Sequence, residues 1–142
     1  MEEELFVILR LGIGTSTTSD ERISIFQSIN ESELEALRKL AFEQGVGGIC
    51  FSGIQQVLTA LGDEGVELMA SNTYLQWMGA TAMRAQLNEQ QVRATNKYAK
   101  ELGKHGIKLV LMKGQANGLY YPEPMHREKG DVDVVNHQYN VR

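Results

Sequence analysis

At 142 residues the chain is long enough for one domain of ordinary size, and its apolar share of 42% and charged share of 23% are those of a globular protein. Lys plus Arg total 14 against 18 Asp plus Glu, a formal net charge of −4. That balance argues against a protein that coats nucleic acid non-specifically, because neutralising phosphates needs a local excess of cations. Met1-Glu2-Glu3-Glu4 carries the wrong charge for a secretory leader, and no apolar run approaches the ~20 residues of a membrane span, so no membrane partner and a cytoplasmic location are expected. The single cysteine, Cys50, lies in the apolar run Gly48-Ile49-Cys50-Phe51, which reads as a buried structural thiol rather than a nucleophile.

Both prolines, Pro122 and Pro124, fall late, and the long stretch before them is rich in helix formers. Leu5–Leu11 reads as a short helix ended by Gly12-Ile13-Gly14. Asp20 caps a turn that runs through Ser28. Asn30 or Ser32 is an N-cap for a helix over 33–44, with Leu34, Leu37, Leu40 and Ala41 on one face and Gly45 as its stop. A further helix over 49–61 stops at Gly62. From Glu67 to Leu102 the residues Leu68, Leu75, Met78, Ala82, Ala85, Val92 and Ala99 fall on alternating steps of three and four, interrupted at Ser71, Glu89 and Asn96. This predicts one long helix, or two end to end, packing through that stripe, with Tyr74, Trp77 and Met83 in the core.

The character changes at Gly103–Gly106. Ile107–Met112 reads as a buried strand, closed by Lys113-Gly114. A short helix or turn over 115–121 and an extended Pro122-Glu123-Pro124 loop lead to a second strand from Gly130 to Val135. The expected organisation is a helical region over 1–106 followed by the first part of an α/β core over 107–142.

Chemistry concentrates in that second region. Asp131 and Asp133 stand at i and i+2, so on a strand both carboxylates leave one face while Val132 and Val134 turn to the core. Two acids side by side repel each other, and a divalent cation between them reverses the sign. Hard oxygen ligands on a strand suit magnesium, which completes its shell with water and phosphate oxygens. Read from the residues alone, the same pattern also fits the charged solvent face of an edge strand. Gly114 directly after a strand lets backbone N–H groups approach phosphate, Lys113 adds a point charge, and Arg127 offers a planar fork. Arg93, Lys97, Lys100 and Lys104 form a basic stripe that reads as a solvated helix face. His105, His126 and His137 have no metal-ligand spacing, and His126 reads as a loop histidine without a role.

Leu111-Met112-Lys113-Gly114, Leu119-Tyr120-Tyr121-Pro122 and Arg127-Glu128-Lys129-Gly130-Asp131-Val132-Asp133-Val134 together resemble the uncharacterised bacterial nucleotidyltransferase family of the DNA polymerase beta-like superfamily. Its members have a strand ending in Leu-Lys-Gly, a loop with Tyr and Pro, and Arg-x-x-Gly-Asp-Ile-Asp. Phe6-Val7-Ile8-Leu9-Arg10 and the helical stretch that follows are similar less specifically. The resemblance implies an α+β fold: a mostly helical N-terminal part, then the first strands of a polymerase-beta-like sheet. It also implies Mg-dependent transfer of a nucleoside monophosphate from a nucleoside triphosphate to an acceptor. Asp131 and Asp133 would be the catalytic metal ligands, with two magnesium ions in a complete site, and Lys113, Gly114 and Arg127 would lie at the triphosphate.

The superfamily has Gly-Ser where Lys113-Gly114 stands here, and it uses a third carboxylate on a later strand. Asn136–Arg142 contain no Asp or Glu. The expectation is therefore a truncated, inactive form, its short sheet covered by the missing part, a second copy or a partner. The competing readings are a helical protein-interaction module and a degenerate nucleotide sensor without catalysis.

Overall fold

The computed structural model describes residues 1–130 and 132–138, with side chains through Val135. Among the described residues six α-helices, α1 (Glu2–Gly12), α2 (Glu31–Glu43), α3 (Gly47–Ala60), α4 (Asp63–Met69), α5 (Asn72–Gly103) and α6 (Gly114–Gly118), accompany one antiparallel pair of strands, β1 (Ile107–Met112) and β2 (Asp133–Gln138). The fold is α+β with a helical N-terminal part, as expected. Among the described residues no helix is long and apolar enough to cross a membrane.

Local chemistry sets most element ends. Helix α1 starts at Glu2, a turn earlier than the apolar pattern alone indicates, because Glu2, Glu3 and Glu4 sit favourably at the positive end of the helix dipole. The N-cap of α2 is Asn30: its Oδ1 accepts from the Glu33 N–H at 3.0 Å, and Glu33 Oε2 accepts from the Asn30 N–H at 3.0 Å. Gly45, at φ +70°, supplies the left-handed residue that ends α2. The stretch read as one or two helices over 67–102 divides at Ala70-Ser71, where the Ser71 hydroxyl accepts from the Tyr74 N–H at 3.2 Å and starts α5 afresh.

The core forms where α1 lies across α3. A Cβ on Gly53 would run into the carbonyl of Ile8, and one on Gly12 into the carbonyl of Ile49. The two glycines let the helix backbones touch, which seals Ile8, Leu11, Ile54, Val57 and Leu58 from water. Leu34, Leu37 and Ala41 of α2 and the buried Phe26 belong to the same cluster. Phe51 packs against Tyr74 and Trp77 with ring centroids 5.4 and 6.3 Å away. The Trp77 Nε1–H donates to the Gly47 carbonyl at 2.8 Å, tying α5 to the start of α3. Cys50 is fully buried, and desolvation pushes its thiol up to about 12.

Two expectations need correction. The buried face of α5 carries Thr73, Tyr74, Trp77, Thr81 and Asn88, whereas Leu75, Met78 and Met83 are exposed. The alternating stripe weighted side-chain apolarity, but α3 and the loop before β2 take the neighbouring face, part of which is polar. The sheet is not buried on both sides either. Ile107 and Leu109 are half-buried, while Val110, Leu111, Met112, Val134 and Val135 are exposed. Val134 is therefore only partly covered, and β2 begins at Asp133 rather than Gly130.

Two measurements check this packing. Gly53→Ala should lower stability by about 3 kcal/mol in urea unfolding, whereas Gly79→Ala, mid-helix with open space around it, should raise it by about 0.5–1 kcal/mol. Because the folded state resists ionising Cys50, this group contributes stability below its ordinary pKa of 9.0 that is lost as pH rises towards 12. At pH 8 the thiol should be inert to a disulfide reagent in the folded chain and react fully in denaturant.

Candidate active site at the end of the sheet

In the strand register Met112 stands opposite Asp133, Leu111 opposite Val134 and Val110 opposite Val135. Residues directly opposite share a face, so Asp133, Met112, Val110 and Val135 line one side of the sheet. That side is open: Val110, Met112 and Val135 are each between 42% and 48% exposed. Leu109 and Ile107 lie on the other side, and β1 packs against α5. Asp133 thus begins β2 with its carboxylate on the uncovered face. Asp131, the other half of the acid pair, lies outside the described residues.

The chain turns sharply after Met112. Lys113 has φ +54°, a conformation that side chains rarely adopt, and Gly114 opens α6. The Lys113 Nζ lies 4.0 Å from Asp133 Oδ2, with both side chains more than half exposed, so solvent screens the pair heavily. Helix α6 has five residues, too few for more than a small dipole at its N-terminus. Within it Gln115 is 8% exposed, and neither end of its amide has a partner among the described residues.

Arg127 is half-buried and committed on one side. Its Nη1 donates to the Gly114 carbonyl at 3.1 Å and to the Glu128 carbonyl at 3.3 Å, and its guanidinium lies 5.7 Å from the centre of the Tyr121 ring. It pins the Gly114 turn to the loop before β2. Lys129, which sequence reasoning gave no role, belongs to the same cluster: its Nζ is 3.7 Å from where a Cβ on Gly118 would lie. Burial, and then the Arg127 charge, push its ammonium below the ordinary lysine range. The sequence carried no separate signal for this residue.

The loop itself is seated on the helices. The loop expected to be extended over Pro122-Glu123-Pro124 passes at Pro124 into a 3-10 turn, Pro124–His126, and a Cβ on Gly48 would collide with the His126 carbonyl. His126 Nδ1 lies 2.8 Å from Ser52 Oγ, so this histidine anchors the loop to α3. The basic stripe of Arg93, Lys97, Lys100 and Lys104 is exposed, with Arg93 on Glu89 and Lys104 on Glu101. Among the described residues no group of three His, Cys, Asp or Glu could hold a metal ion.

The structure therefore brings Lys113, Gly114, Arg127, Lys129 and Asp133 to one end of the sheet. Such a cluster can hold an anionic ligand beside an exposed carboxylate on a strand. Neither a curated protein nor a solved structure matches the chain. A family model described as an uncharacterised nucleotidyltransferase matches residues 30–142, which spans the helices from α2 onward as well as the sheet, and the chain belongs to that nucleotidyltransferase family.

Proposed function

We propose that the protein transfers a nucleoside monophosphate from a nucleoside triphosphate to an acceptor, with Asp131 and Asp133 holding magnesium. What supports this reading is the strand register, which sets an exposed aspartate beside the Lys113-Gly114 turn, in a member of a nucleotidyltransferase family. The donor chemistry fits a hard cation. Asp133 supplies oxygen ligands on an open face, and among the described residues its ion pair is the screened contact to Lys113. Bound magnesium would neutralise the triphosphate and align the oxygens of the displacement.

The chain's own groups have distinct roles in this scheme. Lys113 meets the phosphates as a mobile point charge at the edge of the site. Arg127 has five guanidinium donors, and Nη1 is occupied by carbonyls, so the remaining donors would serve phosphate oxygens while the group keeps the Gly114 turn in place. Lys129 adds a third cation, partly desolvated and therefore less screened. The buried Gln115 amide supplies a donor and an acceptor that a bound molecule or a water can satisfy.

Isothermal calorimetry with each of the four ribonucleoside triphosphates, with and without Mg²⁺, tests the proposal. Combining Asp131→Ala with Asp133→Ala should abolish the Mg²⁺-dependent binding, and unchanged heats in that double variant would sink the assignment. Lys113→Gly relieves the positive-φ backbone and should leave the fold intact while weakening triphosphate binding about tenfold. Release of pyrophosphate separates transfer from binding without turnover.

A further inference from the structure

We propose that Asn88 is a positioning residue for the metal-binding acids: α5 holds the loop before β2 through its backbone carbonyls and thereby sets where Asp131 and Asp133 stand. The inference rests on the nucleotidyl-transfer reading and extends the site to a helix that supplies no carboxylate to it. Asn88 is 4% exposed. Its Nδ2 donates to the Met125 carbonyl at 2.5 Å and to the Arg127 carbonyl at 3.0 Å, so both amide protons are used on alternate residues of the loop. One helical turn earlier, Arg84 Nη2 lies 2.8 Å from Glu128 Oε1. Three residues later, Gln91 Nε2 donates to the Gly130 carbonyl at 3.0 Å.

Positions 84, 88 and 91 share one face of a helix and span about 10 Å along its axis. The loop is laid against that face and gripped at 125, 127, 128 and 130. Gly130 is the residue immediately before Asp131, and Asp133 follows two positions later. The same grip reaches the other side of the site. Asn88 holds the Arg127 backbone, and the Arg127 guanidinium holds the Gly114 carbonyl, so one buried amide fixes both the approach to the acids and the turn after β1.

Packing alone gives no reason for asparagine here. It is a poor helix former, and a buried amide is unfavourable unless its donors are satisfied. An apolar side chain would fill the space but leave two carbonyls of the loop without donors. The Asn88 amide has two protons, one for each carbonyl. Groups that orient metal ligands from behind commonly change metal affinity by about 10–100-fold when removed.

The test uses the intact chain with Mn²⁺ as a spectroscopic stand-in for magnesium. Asn88→Asp keeps the shape but replaces both donors with an acceptor facing two carbonyls. We expect backbone hydrogen exchange across 124–135 to accelerate, exchange in α1 and α3 to stay at the wild-type rate, and Mn²⁺ affinity, read from the free-ion paramagnetic resonance signal, to fall about tenfold or more. Gln91→Met removes only the Gly130 contact at a more exposed position and should lower Mn²⁺ affinity by a smaller factor with an unchanged melting temperature. That variant decides the matter if Asn88→Asp does not fold. Wild-type Mn²⁺ affinity in the folded variants would overturn the positioning role alone. A wild-type chain that binds no Mn²⁺ would overturn the metal reading and this role together, and retention of Mn²⁺ by the combined Asp131→Ala, Asp133→Ala variant would relocate the metal elsewhere.

Discussion

A loop that runs over a helix cannot leave its carbonyl oxygens without donors once side chains and neighbouring backbone exclude water. The segment from Pro124 to Gly130 meets this constraint by borrowing donors from the helical part. Asn88 serves the Met125 and Arg127 carbonyls, and Gln91 serves Gly130. Around those bonds gather the contacts that give the loop a fixed place: Ser52 against His126, Gly48 beneath the His126 backbone, and Arg84 paired with Glu128 over the Gly45 turn.

The helices can act as a support because their own packing is stiff. Backbone contact between α1 and α3 at Gly12 and Gly53 leaves no slack for side chains to take up, and the aromatic group of Phe51, Tyr74 and Trp77 joins α3 to α5. The Trp77 indole adds a directional bond to the Gly47 carbonyl. A position gripped by α5 is therefore referred, through α3, to the whole core. This arrangement places a closely packed core behind a sheet that is itself thin and open, where two strands alone would be marginal.

The electrostatics of the chain look different locally than in total. An overall charge of −4 coexists with Lys113, Arg127 and Lys129 gathered around α6 at the end of the sheet. Such a local excess is what a polyphosphate needs, and it leaves the rest of the surface acidic enough to disfavour non-specific anion binding. Arg127 is part of that local charge and of the fold as well, since one nitrogen of its planar fork satisfies the Gly114 and Glu128 carbonyls.

Much of this was legible before any coordinates. The Asn30 cap, the Gly45 and Gly62 stops, the buried thiol of Cys50, the buried rings of Tyr74 and Trp77 and the bounds of β1 all follow from interactions within a few residues or from plain apolarity, and so did the order of Lys113, Gly114, Arg127 and Asp133 along the chain. Tertiary structure alone decided which face of α5 turns inward, because that choice depends on carbonyls 37 and 39 residues further along the chain. Neither Asn88 nor Lys129 stood apart from other polar residues of the sequence. Met83, Leu75 and the strand valines had the composition of a core but are exposed, since burial depends on which surfaces the fold brings against them and not on the residue itself.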